Sequence, residues 1–175
     1  MPLPPKGRII IRHPTTGDCA AFLAAVQRSR ALHGSWIESK ARTRKEFADY
    51  LKRLSTNHHC GFLVIHRSSG DIAGAININD MIRGAFQSAS LGYYAFAPHA
   101  GKGLMCEGML LVLKHAFRNL KLHRLEANIQ PANKASITLV QKCGFVREGF
   151  SRRFIKVRGR WRDHERWALL SEDFR

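Results

Sequence analysis

Across residues 125–145, LEANIQPANKASITLVQKCGF, the chain changes period within four residues. Leu125, Ala127 and Ile129 alternate with Glu126 and Asn128, as in a strand with one buried face. The alternation stops at Gln130-Pro131-Ala132-Asn133 and restarts with helical spacing at Ile137 and Val140, ending at Gly144. A proline has no N–H for a ladder, so Pro131 prevents the strand from zipping further along a neighbour. Asn133 and Ser136 both suit the first turn of the following helix, and helix capping alone would account for Ser136. The segment therefore ends a strand abruptly beside a helix N-terminus.

The rest of the chain supplies the frame. An edge strand is expected over 8–12. Thr15, Thr16 and Asp18 cap a helix over 18–32 with Phe22, Leu23 and Val26 on one face, broken by His33-Gly34-Ser35-Trp36. A second helix, 44–54, carries Phe47, Tyr50, Leu51 and Leu54 at helical spacing. Strands are expected over 60–66, 72–78 and 86–96, with a turn at Ser68-Ser69-Gly70-Asp71 and a connection at 80–84. A long helix over 104–120 follows, with Cys106, Leu110, Leu113 and Phe117 as its apolar stripe. After it come the strand at 124–130, a helix over 134–143 and two closing strands, 145–155 and 162–170, around Val157-Arg158-Gly159-Arg160. This order describes a mixed α/β fold on one twisted sheet, with a right-handed parallel crossover over 91–130. A length of 175 residues favours one domain, 1–175.

A second motif, APHAGKGLMCEGML over 97–110, places Gly101-Lys102-Gly103 where a strand ends and a helix begins. Glycines bring backbone N–H groups close to a ligand, a helix N-terminus offers unpaired donors, and Lys102 adds a charge. The form suits a phosphate. It is neither GxxxxGK[ST] nor GxGxxG, so a P-loop and a Rossmann site are excluded.

The net charge is +16 and the pI about 10.6, which draws polyanions: nucleic acid, phosphorylated cofactors or an acidic surface. Cations are dense at Lys40, Arg42, Arg44 and Lys45, and from Arg152 to Arg166. No base-reading motif is present, so attraction to an RNA backbone is plausible and base recognition unsupported. Cys19, Cys60, Cys106 and Cys143 form no CxxC pair and no metal-ligand spacing, and are expected as reduced thiols with no metal. Ile9-Ile10-Ile11 is too short for a signal peptide or a membrane span, so a cytoplasmic location without membrane contact is expected.

Three stretches, LGYYAFAPHAGKGLMCEGML, HRLEANIQPANKASITLVQKCGF and EGFSRRFIKVRGRWRDHERWAL, in that order, resemble the GNAT superfamily of N-acetyltransferases, and within it the RimJ/RimL type that acetylates ribosomal-protein N-termini. The resemblance implies the GNAT fold: a mixed, mostly antiparallel twisted sheet of about seven strands with four helices and a splayed parallel central pair. It implies an acetyl-CoA enzyme whose pantetheine enters the splay along Tyr94, Ala95 and Phe96. The pyrophosphate would lie on the amides of Ala100, Gly101, Lys102, Gly103 and Leu104. Asn133 resembles the residue that holds the cofactor at the second edge. Two positions depart from the family's glycine-loop pattern, Ala100 and Met105, and His99 is a candidate to replace a missing side-chain contact.

Acetyl transfer to an amine must remove a proton, stabilise an oxyanion and protonate a leaving thiolate. The resemblance gives the oxyanion to a backbone N–H near Tyr94 or Ala95. Many family members protonate the thiolate with a Tyr where this chain has Val140; Ser136 is the hydroxyl expected there, as in the RimJ/RimL subgroup. For the base, Glu126, Glu107, Asp80, Asp163, His164 and an ordered water remain open, with Glu107 read as structural. Trp36, Phe86, Gln87 and Tyr93 are candidates for the acceptor cleft. A positive field disfavours free polycations and suits an amine on an anionic body such as the ribosome. The expected acceptor is a ribosomal protein, on a monomer or homodimer. A small-molecule amine, or a non-catalytic RNA-binding module on the same fold, are the alternatives.

Overall fold

The computed structural model describes residues 7–34, 36 and 41–174; residues 1–6, Ser35 and Lys40 of the sequence features above lie outside them. Seven strands, β1 (Ile9–Arg12), β2 (Cys60–His66), β3 (Ile72–Ile82), β4 (Ser88–Ala95), β5 (Arg124–Ile129), β6 (Val146–Val157) and β7 (Arg160–Leu170), form one sheet. Its order is β1-β2-β3-β4-β5-β7-β6. Every neighbouring pair is antiparallel except β4–β5. The helices are α1 (Cys19–Arg28), α2 (Arg30–His33), α3 (Arg44–Leu54), α4 (Leu104–Arg118) and α5 (Lys134–Lys142). None of the helices among the described residues is long and apolar enough to cross a membrane.

The sheet separates two cores. On one face Met109, Val112, Leu113 and Ala116 of α4 and Val140 of α5 pack on Val64, Ile76, Leu91, Leu125, Ala127, Ile129 and Trp167. On the other, Phe22, Ala25 and Val26 of α1 and Phe47 and Tyr50 of α3 cover Leu63, Ile65, Ala75 and Phe96. Strand side chains alternate between faces, so neighbours on β4 part company. Tyr93 joins the α4–α5 core and Tyr94 the α1–α3 core.

The elements follow the sequence reading closely, with four differences. The first helix splits at Ser29, giving five helices instead of four, because the Ser29 hydroxyl donates to the Ala25 carbonyl (2.7 Å) and accepts from the Ala97 N–H (2.9 Å). That bond ties the helix break to the end of β4. Strand β3 runs on to Ile82, past the expected connection at Asp80, with an irregular register against β4 after Asn79. The α4 stripe is rotated: Leu110 is 41% exposed, while Gly108, Met109 and Val112 face the sheet. Strand β4 begins at Ser88, leaving Phe86 and Gln87 in the preceding loop.

One glycine sets how closely α4 approaches. A Cβ at Gly74 of β3 would lie 2.2 Å from the Met105 sulfur and 2.8 Å from the Tyr94 carbonyl oxygen. A bare backbone there lets the first turn of α4 descend on the sheet beside the end of β4, bringing the glycine loop to the parallel strand pair.

Candidate active site

Strands β4 and β5 pair only at Ser88↔Arg124, Ala89↔Leu125 and Ser90↔Glu126. Beyond Ser90, β4 stays on β3 as far as Ala95, and β5 stays on β7 as far as Ile129. The two strands therefore diverge, and Pro131 sits where β5 would otherwise have continued. The Phe96 N–H donates to the Ala73 carbonyl (2.8 Å), so residues 96, 94 and 92 direct their backbone groups to β3. Tyr93 and Ala95 face the gap instead. The Ala95 carbonyl meets the Nε2 of His33, from α2, at 2.8 Å. This corrects the expectation for Tyr94 as an amide donor: its N–H belongs to the β3 ladder, and the gap-facing amides are those of Tyr93 and Ala95. On the facing strand, the side-chain oxygen of Asn128 is buried with no partner among the described residues.

At the far wall, the Asn133 side-chain oxygen accepts from the Ser136 N–H (3.2 Å) and caps α5. Ser136 is thus not the cap. Its hydroxyl hydrogen-bonds instead with the Tyr93 hydroxyl, Oγ to Oη 2.6 Å. Burial pushes the Tyr93 phenol above its usual range, against a smaller opposing effect of the Ser136 hydrogen bond, so it stays protonated. A hydroxyl pair therefore bridges β4 and α5 across the gap. Sequence reasoning assigned Tyr93 to the acceptor cleft; only the alternation of Tyr93 and Tyr94 across the sheet could have signalled this pairing. Val140 is buried in the core.

The glycine loop has the geometry its composition suggests. Gly101 (φ 76°) and Gly103 (φ 80°) are left-handed, Gly103 is the N-cap of α4, and Ala100, Gly101 and Lys102 line the turn before it. Leu104 anchors the first turn in the core. Glu107 is structural, as expected: it accepts from the Arg8 N–H (3.1 Å) and Nε (2.6 Å), fastening β1 to α4. Arg8 extends over Gly103, 3.2 Å from where a Cβ would project, and adds a cation to the loop that sequence proximity could not reveal. His99 does not replace the missing contact. It is buried, its ring bonded to the Asp71 carboxylate at 3.0 Å.

The proposed bases separate clearly. Burial favours the neutral form of Glu126, but hydrogen bonds from Arg124 and Arg166 (each 2.9 Å) outweigh it and hold the carboxyl below its usual range. Such a carboxylate is clamped and a weak proton acceptor. Asp80 lies at the opposite end of the sheet, in a surface hollow with His58 and His59. Asp163 accepts from the Arg153 N–H (2.8 Å) in the β6–β7 hairpin. His164 is different. It is 4% exposed and stands one residue beyond the Glu165↔Ile129 pair, where β5 ends. Burial lowers its pKa, with smaller opposing effects from the Arg162 carbonyl and Asp163. Its Nδ1 lies 2.9 Å from the Arg162 carbonyl, which fixes the proton on Nδ1 and leaves Nε2 with a free lone pair.

Trp36 is half-buried and its carbonyl accepts from the Gln130 side-chain amide (3.4 Å), so Trp36 reaches the end of β5. Phe86 and Gln87 do not reach the gap. Phe86 is 69% exposed and the Gln87 carbonyl binds the His123 N–H (2.7 Å), at the paired end of β4. Strand rise puts them ~25 Å from Tyr94.

A parallel pair that opens beside a glycine-headed helix, with donors on one edge and an unpartnered acceptor on the other, defines a slot for an extended amide-bearing chain ending in phosphates. That is the class of a CoA-dependent acyltransferase. The chain belongs to the GNAT acetyltransferase family: residues 8–146 match the acetyltransferase (GNAT) domain. It is 38% identical over 130 residues to the probable N-acetyltransferase YjcK of Bacillus subtilis, covering 74% of this chain and 72% of that one. It is 36% identical over 104 residues to the ribosomal protein uS5-alanine N-acetyltransferase of Escherichia coli, covering 59% and 54%. In fold it matches Mycobacterium smegmatis RimJ in complex with CoA-disulfide, with a TM-score of 0.86, 24% identity and 94% and 82% coverage. It also matches the Vibrio cholerae spermidine N-acetyltransferase in complex with CoA and spermine, with a TM-score of 0.80, 22% identity and 95% and 97% coverage. The protein is an acetyl-CoA-dependent N-acetyltransferase. The residues present fit that cofactor: the orphaned Asn128 oxygen and the gap-facing amides of Tyr93 and Ala95 match amide donors and acceptors, and the α4 N-terminus with Lys102 and Arg8 matches its phosphates.

Proposed function

We propose that the chain acetylates the N-terminal α-amine of a ribosomal protein. The observation that carries this reading is the state of the carboxylates on the β5 side of the gap. All four on β5, β6 and β7 are engaged: Glu126 by Arg124 and Arg166, Glu148 by Arg124, Glu165 by Arg147 and the Trp167 indole, and Asp163 by the Arg153 amide. A free polyamine brings several ammonium groups that need carboxylates, and these four are already taken. A peptide N-terminus brings one amine, and a net charge of +16 suits one presented on an anionic body. The relatedness to a uS5-alanine acetyltransferase supports the same acceptor class.

Acetyl-CoA supplies the acetyl group as a thioester. The Tyr93 and Ala95 N–H groups are the gap-facing donors for a developing oxyanion. His164 accepts the amine proton at Nε2, on the α1–α3 face of the gap. Ser136 and Tyr93 present their paired hydroxyls to the leaving sulfur from the α4–α5 face. Base and acid thus act from opposite faces of the sheet, one on the attacking amine and the other on the sulfur that leaves as the tetrahedral intermediate collapses. Asn133 holds α5 in place through its cap, with its side-chain NH2 left for the cofactor.

The test is acetyl transfer followed by mass spectrometry, with N-terminal Ala and Ser peptides of ribosomal proteins and with spermidine. The expected result is acetylation at the peptide α-amine and none on spermidine. Transfer to spermidine with silent peptides overturns the acceptor assignment.

A further inference from the structure

We propose that the β6–β7 hairpin is an RNA-binding arm that grips phosphates and stacks an unpaired base on Trp161. β5 covers β7 only from Glu165 to Leu170, and β6 is the outer strand of the sheet. The ribbon from Phe150 to Asp163 therefore has no third strand on either edge. It carries six cations, Arg152, Arg153, Lys156, Arg158, Arg160 and Arg162, against one carboxylate, Asp163. All six are exposed, and none forms a salt bridge among the described residues.

This arrangement opposes folding. Like charges crowded on a two-stranded ribbon repel. Several arginines elsewhere are matched: Arg8 with Glu107, Arg12 with Asp18, Arg124 with Glu126 and Glu148. The hairpin crowds six unmatched cations between Arg152 and Arg162, and five of the six are arginines, whose planar fork fits phosphate oxygens in pairs.

The aromatic residue distinguishes RNA from other polyanions. Trp161 is 60% exposed and lies directly opposite Lys156 in the ladder, so an indole face and an ammonium share one surface. Arg160 and Arg162 point to the other surface, opposite Val157 and Ile155. An open indole beside an ammonium is a platform for an unpaired base with its phosphate held alongside. An acidic peptide would use the cations and leave the indole idle. The inference deepens the reading above, since it names the anionic body on which the acceptor amine is presented.

The test is fluorescence anisotropy of the full chain with a labelled uridine-rich RNA oligonucleotide across a salt series. Three variants are compared: Lys156→Ser/Arg158→Ser/Arg160→Ser, Trp161→Ala, and Arg44→Ser/Lys45→Ser/Lys52→Ser on α3, which removes the same charge elsewhere. The hairpin triple variant is expected to flatten the plot of log affinity against log salt by about two, at about 0.7 per lost phosphate contact. The α3 variant should keep the wild-type slope. Trp161→Ala should weaken binding by roughly 5- to 150-fold. Absence of wild-type RNA binding, equal losses in both triple variants, or stronger binding to an acidic peptide or phosphatidylserine vesicles each overturns the proposal. Acetylation of a free peptide by the hairpin triple variant is expected at the wild-type rate. Silent peptides with RNA binding retained would defeat the acceptor assignment and leave the arm standing.

Discussion

Ser136→Ala is expected to lower kcat by about 10²-fold, the scale of one positioned proton donor, with little change in CoA affinity. The hydroxyl acts on charge that appears at sulfur only as the thioester breaks, so the ground state loses nothing when it is removed. Tyr93→Phe is expected to produce a similar loss, because the two hydroxyls are 2.6 Å apart and work in series. The double variant should be no slower than the slower single one, the mark of two groups in one relay. The Tyr93 phenol, pushed up by burial, does not ionise in the working range. It orients Ser136 and passes on a proton rather than giving one up outright. Additive losses would show independent roles, and an unchanged kcat in Ser136→Ala would reduce the pair to a structural brace between β4 and α5.

His164→Ala is expected to lower kcat by 10²- to 10⁴-fold, the range for loss of a general base. The pH profile separates this role from a packing defect. Burial lowers the His164 pKa below the ordinary value of about 6.5, so wild-type kcat should rise through a pH below 6.5 and then level off. In His164→Ala that limb should vanish, leaving kcat to climb with hydroxide. Persistence of the same limb would assign the base to another group. The same shift has a consequence for folding. A histidine held neutral in the native state stabilises fully above its unfolded pKa. That contribution is lost as pH falls from about 6.5 through the lower folded pKa, since the unfolded chain then binds the extra proton.

The sequence was most readable where a residue has one conformational use. Pro131, Asn133, Gly101 and Gly103 marked the strand break, the cap and the helix N-terminus, and each stands as its chemistry requires. Period alone placed the elements within a few residues. What escaped it depends on pairing across long separations. Ser29 breaks the first helix because Ala97, far along the chain, needs an acceptor. Tyr94 and Tyr93 look equivalent in sequence, and only strand register decides which faces Ser136. Glu126 looks like a base until Arg124 and Arg166 are folded against it. Phe86 and Gln87 stand as acceptor-cleft candidates in the sequence, but they precede β4 at its paired end, while the site lies at its open end. His164 was one of several candidates, raised above the rest by burial and by the Arg162 carbonyl that fixes its tautomer.

A crystal structure of the protein with CoA is expected to show pantetheine between Leu91–Ala95 and Ala127–Ile129, its amides on the Tyr93 and Ala95 backbone and the Asn128 side chain. The thiol should lie within about 3.5 Å of the Ser136 hydroxyl. A thiol remote from the Ser136–Tyr93 pair, or pantetheine outside the β4–β5 gap, would contradict this binding mode.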